Sequence, residues 1–111
     1  CVVVASHAAG AVPTLIKHRQ NGLIFPSGDF NKMASLVEEL VKDQKWRLSL
    51  GENAYETLEC EWNHMVAARR LIQFSEDVLR GEIEPWTSGP LSEAKVIHQR
   101  NMYKKIVGID Q

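Results

Sequence analysis

A chain of 111 residues, 44% hydrophobic and 24% charged, falls in the soluble globular range and has the length of one domain. Its formal net charge of −1 supplies no bulk field to draw nucleic acid or an acidic membrane surface, and its unbroken apolar runs fall far short of the ~20 residues that span a bilayer. Cys1 and Cys60 stand alone, without a CxxC pair or a histidine at metal-ligand spacing, which argues against a disulfide framework or a zinc site and leads us to expect a reducing, cytoplasmic setting.

The run VVVAS, residues 2–6, is apolar and β-branched, the pattern of a strand buried on both faces of a parallel sheet. It follows Cys1 directly, so we expect a larger protein cut within, or just before, a core strand. The segment HAAGAVPTLIKHRQ, residues 7–20, predicts a loop around Gly10, then a short helix with Pro13 in its first turn. That helix is expected to end in Lys17, His18 and Arg19, where the dipole favours cations, with phosphate binding the lesser reading. Asn21 and Gly22, two types that tolerate the left-handed conformation, are expected to close it. Leu23–Phe25 reads as the next strand, and strand, helix, strand makes a right-handed parallel βαβ unit.

Pro26 and Gly28 end that strand, and Asp29 is placed to cap the following helix. Apolar residues recur there at Met33, Leu36, Val37, Leu40 and Val41, the stripe of a helix packed on one face. Glu38 and Glu39 on the same helix read as solvation rather than an acid–base pair. After a break near Asp43, Trp46, Leu50, Ala54 and Leu58 predict a second helix, interrupted or softened at Gly51. A third is expected from a cap at Asn63 through Met65, Ala68, Leu71, Ile72, Val78 and Leu79 to a stop at Gly81. Trp46 and Trp62 read as apolar anchors. EIEPWTSGP, residues 82–90, has linker composition. A last helix is expected from about Ser92 to Lys105, mildly basic through Lys95, Arg100, Lys104 and Lys105, and solvated.

Taken in order, VVVAS, Gly10, Pro13, the Leu15-Ile16 pair, NGLIFPSGD, LGENA and Glu61-Trp62 resemble the closing segment of the GT-B-type retaining glycosyltransferases, the group 1 or glycogen synthase-like family. The likeness spans roughly residues 1–80. It implies an α/β fold: part of a Rossmann-like C-terminal donor-binding domain, a short parallel βαβ followed by several helices. The implied division is a donor-domain part at 1–81, a linker at 82–91 and a C-terminal tail at 92–111. The implied reaction moves a sugar from a nucleotide-sugar donor to an acceptor hydroxyl with retention. A non-catalytic scaffold or interaction module derived from the fold, and a nucleotide-sugar epimerase of the same fold, are the alternatives.

In that family strand C-termini form the ligand crevice and helix N-termini hold phosphate. The loop from Ser6 to Gly10 is therefore the candidate donor contact, with Ser6, His7 and Gly10 as candidate substrate-binding residues. Each has a plainer reading: Ser6 caps its own turn, His7 is a loop histidine without a ligand, and Gly10 supplies a positive φ. Three positions depart from the family pattern: His7 replaces a common acidic residue, Ala9-Gly10 replaces Gly-Gly, and Thr14 replaces a glutamate. The family's donor-binding pair of glutamates, seven residues apart, would precede Cys1. No catalytic residue, cofactor or metal is assigned to this chain. The expected partners are the nucleotide-sugar donor, through a complete domain, and the N-terminal portion of the same protein. With two strands only, self-association of the isolated chain is also expected. No nucleic acid partner or transmembrane segment is expected, and membrane association would belong to the full-length protein.

Overall fold

A computed structural model describes residues 1–94 and 101–109. Two strands, β1 (Val4–Ser6) and β2 (Leu23–Phe25), accompany five helices: α1 (Val12–Leu15), α2 (Phe30–Lys42), α3 (Gln44–Cys60), α4 (His64–Arg80) and α5 (Met102–Val107). The strands pair in parallel, with Val4 opposite Leu23 and Ser6 opposite Phe25. This is an α/β fold compatible with part of a Rossmann-like domain. Residues 1–55, with α5, form one compact unit, and residues 56–94 form another.

In the first unit the core is Leu23, Leu36, Leu40 and Leu50, with Val2, Val4, Phe25 and Trp46 packed against it. Leu36 is fully buried and Leu40 6% exposed, but Val37 is 43% and Val41 69% exposed. A sheet of two short strands is narrow, so it covers only the Leu36–Leu40 line of the expected stripe. β1 departs from expectation for the same reason. It is half-buried along its length, because β2 pairs with one edge and no described strand takes the other.

The connection from β1 to β2 is more extended than the sequence suggests. α1 is a single turn with Pro13 at its start, and the chain is already extended at Ile16. Lys17, His18 and Arg19 thus lie beyond the helix rather than at its end. The left-handed residue is Arg19 (φ 63°), not Asn21 or Gly22. Asn21 turns inward: its side chain is buried, its Oδ1 accepts from Lys17 N at 2.7 Å and its Nδ2 donates to Leu15 O at 3.0 Å. Gly22 is chosen by space, since a Cβ there would stand 2.9 Å from Ile16 Cγ2 and 3.2 Å from Val3 O.

Caps set the helix boundaries as expected. Asp29 Oδ1 accepts from Lys32 N at 2.8 Å and starts α2. Asp43 does two jobs: its N–H closes the last turn of α2 on Glu39 O at 3.1 Å, and its Oδ1 accepts from Trp46 N at 2.9 Å to open α3. Arg47 Nη1 donates to Leu40 O at 2.8 Å, which satisfies a carbonyl left over at the end of α2. α3 then runs through Gly51 unbroken, contrary to the expected interruption. The helical penalty of one glycine, about 1 kcal/mol, is offset by burial of Leu50 at 1% exposure beside it.

In the second unit, Asn63 Oδ1 accepts from Val66 N at 2.9 Å and Gly81 (φ 76°) terminates α4, both as the sequence indicates. No residue of α4 is buried, however, and Ile72 and Leu79 are 64% and 88% exposed. Residues 86–92 form a closed loop fastened to α4. Arg70 Nη1 donates to Ser88 O at 2.6 Å and Pro90 O at 3.0 Å, while its guanidinium lies over the Trp86 ring at 5.3 Å. The Ser88 hydroxyl donates to Glu61 Oε1.

Among the described residues the expected last helix is present as α5 (Met102–Val107), ended by Gly108 at φ 72°. Ser92 instead forms an isolated bridge with Trp86. Lys95 and Arg100, counted with that helix, lie outside the described residues.

Candidate functional site

The C-terminal ends of β1 and β2 face the same way because the strands are parallel, so the segments leaving them lie side by side. Ser6 is the last residue of β1. Its Oγ accepts from Ala8 N at 3.3 Å and its carbonyl from Ala9 N at 3.1 Å, a tight turn that carries the chain away from the sheet. His7 joins the two strand ends twice. Its N–H donates to Phe25 O at 3.0 Å, extending the ladder by one rung, and its Nδ1 accepts from Ser27 N at 2.9 Å. Gly10 follows on the exposed part of the loop, with no atom within 4 Å of the place a Cβ would take and no positive φ to require glycine.

The three candidates therefore share one loop but not one role. Ser6 and His7 have internal partners that account for them. Gly10 has none, and neither space nor backbone conformation there calls for glycine. With Nδ1 accepting, a neutral His7 carries its proton on Nε2, a hydrogen-bond donor. Thr14, at a position where the family has a glutamate, donates its hydroxyl to Ala11 O at 2.9 Å.

Two neighbours were not foreseen. Tyr103 of α5 meets the His7 ring edge to face, with centroids 5.7 Å apart and planes at 67°. Burial, and then the Asp29 carboxylate, push the Tyr103 phenol above its ordinary value, so it stays a neutral donor. Ser27, in the turn after β2, is the other: its role is carried by a main-chain N–H, which leaves no trace in residue type.

Behind β2 lies a second set of contacts. His18 Nδ1 accepts from Ile24 N at 2.9 Å. Burial, then the charges of Arg19 and Lys32, hold the His18 imidazole below its ordinary value, against a smaller opposing pull from Glu39. Arg19 is occupied elsewhere, by Glu39 Oε2 at 2.8 Å and by the Trp46 ring at 5.3 Å. The basic cluster is thus engaged internally at His18 and Arg19.

Chemically the strand-end loop offers donors and open backbone rather than an acid–base pair. Asp29, the nearby carboxylate, is engaged as a cap. Among the described residues no group of three or more histidine, cysteine, aspartate or glutamate side chains could hold a metal ion. No helix among them is long and apolar enough to cross a membrane. A hollow of about 590 Å³, bordered by Cys1, Arg47, Gly51 and Tyr55 among others, lies at the opposite end of β1 from the loop, which is not the end at which parallel sheets bind ligands.

No curated protein and no solved structure matches the chain. The sequence profile described as "Glycosyl transferases group 1" matches residues 1–57, just over half of the chain and the stretch that contains β1, β2, the loop between them, α2 and most of α3. On that match the chain belongs to the group 1 glycosyltransferase family.

Proposed function

We propose that this chain is the last part of a donor-binding domain in a glycosyltransferase that moves a sugar from a nucleotide-sugar to an acceptor hydroxyl with retention. Residues 1–81 would belong to that domain, 82–91 to a linker and 92–111 to a tail. The observation that carries the reading is the pairing of the Ser6–Gly10 loop with the turn after β2, at the C-terminal edge of a parallel sheet in a member of this family. Ser6, His7 and Gly10 border the donor on this reading: Gly10 by letting main chain approach, and His7 through its Nε2–H. The sugar and ribose contacts would come from glutamates upstream of Cys1, and most acceptor contacts from an N-terminal domain. The isolated chain is then not catalytic.

The test is isothermal titration on two proteins. In the complete protein, Gly10→Val should weaken nucleotide-sugar binding while leaving the fold intact, because the space around Gly10 is open and its backbone is not left-handed. The 111-residue chain alone should bind uridine, guanosine or adenosine diphosphate sugars at about millimolar strength or weaker, about −4 kcal/mol. Micromolar binding by the chain alone would put the donor site elsewhere. An unaffected Gly10→Val protein would remove the loop from it.

One observation favours a second reading, a non-catalytic module that retains the fold. His7 spends its Nδ1 on Ser27 and its ring on Tyr103, both internal. A complete protein that binds no nucleotide-sugar, with or without Gly10→Val, would decide for the module.

A further inference from the structure

β2 is held on both sides, but by different kinds of partner. Leu23 N donates to Val3 O at 2.9 Å, toward β1. Successive N–H groups of a strand point to opposite edges, so Ile24 N–H points away from β1, where no described strand pairs with β2. Ile24 is fully buried, and an unpaired N–H there would cost about 1–3 kcal/mol. The acceptor is an imidazole: His18 Nδ1 at 2.9 Å. Three residues on, where the chain leaves the sheet, Ser27 N–H is taken by a second imidazole, His7 Nδ1, also at 2.9 Å. Two histidines from different loops thus do the same work on one strand and its corner.

Both bonds demand the same chemical state. An imidazole accepts through Nδ1 only when that nitrogen carries no proton; the imidazolium is a donor at both nitrogens. Protonation therefore turns each contact from donor–acceptor into donor–donor. The surroundings of His18 bias it toward the neutral form. Burial acts first, then Arg19 on its own loop and Lys32 on α2 face it with like charge, and the opposing Glu39 on α2 is already engaged by Arg19 at 2.8 Å. Tyr103 of α5 faces His7, and the carboxylate of Asp29, at the start of α2, acts on Tyr103 in turn.

We propose that His7 and His18 form an acid-released latch: as neutral imidazoles they fasten β2 and the corner after it, and protonation frees the corner together with the Ser6–Gly10 loop. The release is local. The Asp29 cap and the Leu36–Leu40 packing of α2 involve neither histidine, so α2 keeps its place while the corner opens. This inference does not depend on the ligand assigned to the loop.

Nitrogen-detected NMR of the whole chain tests it in two steps. At about pH 7.5 neither ring should carry a proton on Nδ1, the nitrogen that accepts from Ser27 N or Ile24 N. On going to about pH 5, exchange of the Ile24 and Ser27 amides, corrected for intrinsic rates, should accelerate at least about tenfold relative to the Leu40 amide. In His7→Asn/His18→Asn, where Oδ1 accepts but does not titrate, that acceleration should vanish. A proton on Nδ1 of either ring at the higher pH overturns the latch without any variant having to fold. So does equal acceleration at Leu40, which would mean global unfolding, or an unchanged acceleration in the double variant.

Discussion

Asn21→Ala removes a buried side chain whose amide accepts from Lys17 N at 2.7 Å and donates to Leu15 O at 3.0 Å. Alanine leaves a main-chain donor and a main-chain acceptor without that partner, and each orphaned group costs about 1–3 kcal/mol when water cannot reach it. Lys17 is exposed and Leu15 half-buried, so water recovers part of the loss. The expected destabilisation is about 2–4 kcal/mol, near the lower half of the summed range. For a chain of this length that lowers the melting temperature by about 10 °C or more. Asn21→Asp should be no milder: one oxygen can still accept from Lys17, but the other faces the Leu15 carbonyl, replacing a bond with a repulsion. Urea titration followed by far-ultraviolet circular dichroism gives the midpoint and slope, with the exposed Asn31→Ala as the comparison, expected within about 0.5 kcal/mol of the parent. A loss at Asn21→Ala as small as that control would refute the idea that this side chain organises the loop between the strands.

Leu36→Ala should cost about 2–5 kcal/mol as a buried large-to-small change, whereas Val41→Ala, at a position 69% exposed, should stay near neutral; equal effects in chemical denaturation would mean the helix faces the core by a different side. Asp29→Ala should lose about 0.5–2 kcal/mol with its cap, and Asp29→Asn much less, read from the same curves. The His18 imidazole is held below its ordinary value of 6.5, so the folded chain takes up its proton less readily than the unfolded one. Its contribution is therefore complete above about pH 6.5 and lost as pH falls through the lowered folded value; a stability–pH profile whose slope below that point is the same in His18→Asn would contradict this. The chain alone should self-associate, since no strand among the described residues pairs with the second edge of β1, and a monomeric mass by light scattering at all concentrations would speak against it.

Local chemistry was legible in the sequence, and distant chemistry was not. Asp29, Asn63 and Gly81 act on atoms within a few residues of themselves, so their types and positions told their roles. Leu36 and Leu40 were likewise visible as a period, but how wide a stripe would be covered depended on the sheet's width, which no period encodes. The Asn21-Gly22 pair misled because asparagine was needed for its amide, not for its tolerance of positive φ. Arg19 took the left-handed turn instead, where its side chain meets Glu39 and Trp46. Of the candidate site, Ser6, His7 and Gly10 were named from the strand end and the family pattern. What His7 holds, and that Tyr103 covers it, depends on partners 20 and 96 positions away in the numbering. A main-chain partner such as Ser27 N–H has no residue-type signature at all.

The loop over residues 86–92 reads backbone rather than side chains. Arg70 grips two carbonyls, and a Cβ on Gly89 would stand 2.6 Å from Arg70 Nη1 and 2.9 Å from Glu61 Cγ. Gly89 (φ 81°) and Leu91 (φ 63°) also hold left-handed conformations. For anyone wishing to attach a dye or graft a peptide, this makes the loop a socket with one usable opening. The exposed Thr87 side chain takes no part in the grip, so a label there leaves the loop closed. A label at Gly89 must evict the guanidinium. Arg70→Lys, which keeps the charge, gives up the planar group that spans both carbonyls and stacks on Trp86, and should set the loop swinging without unwinding α4.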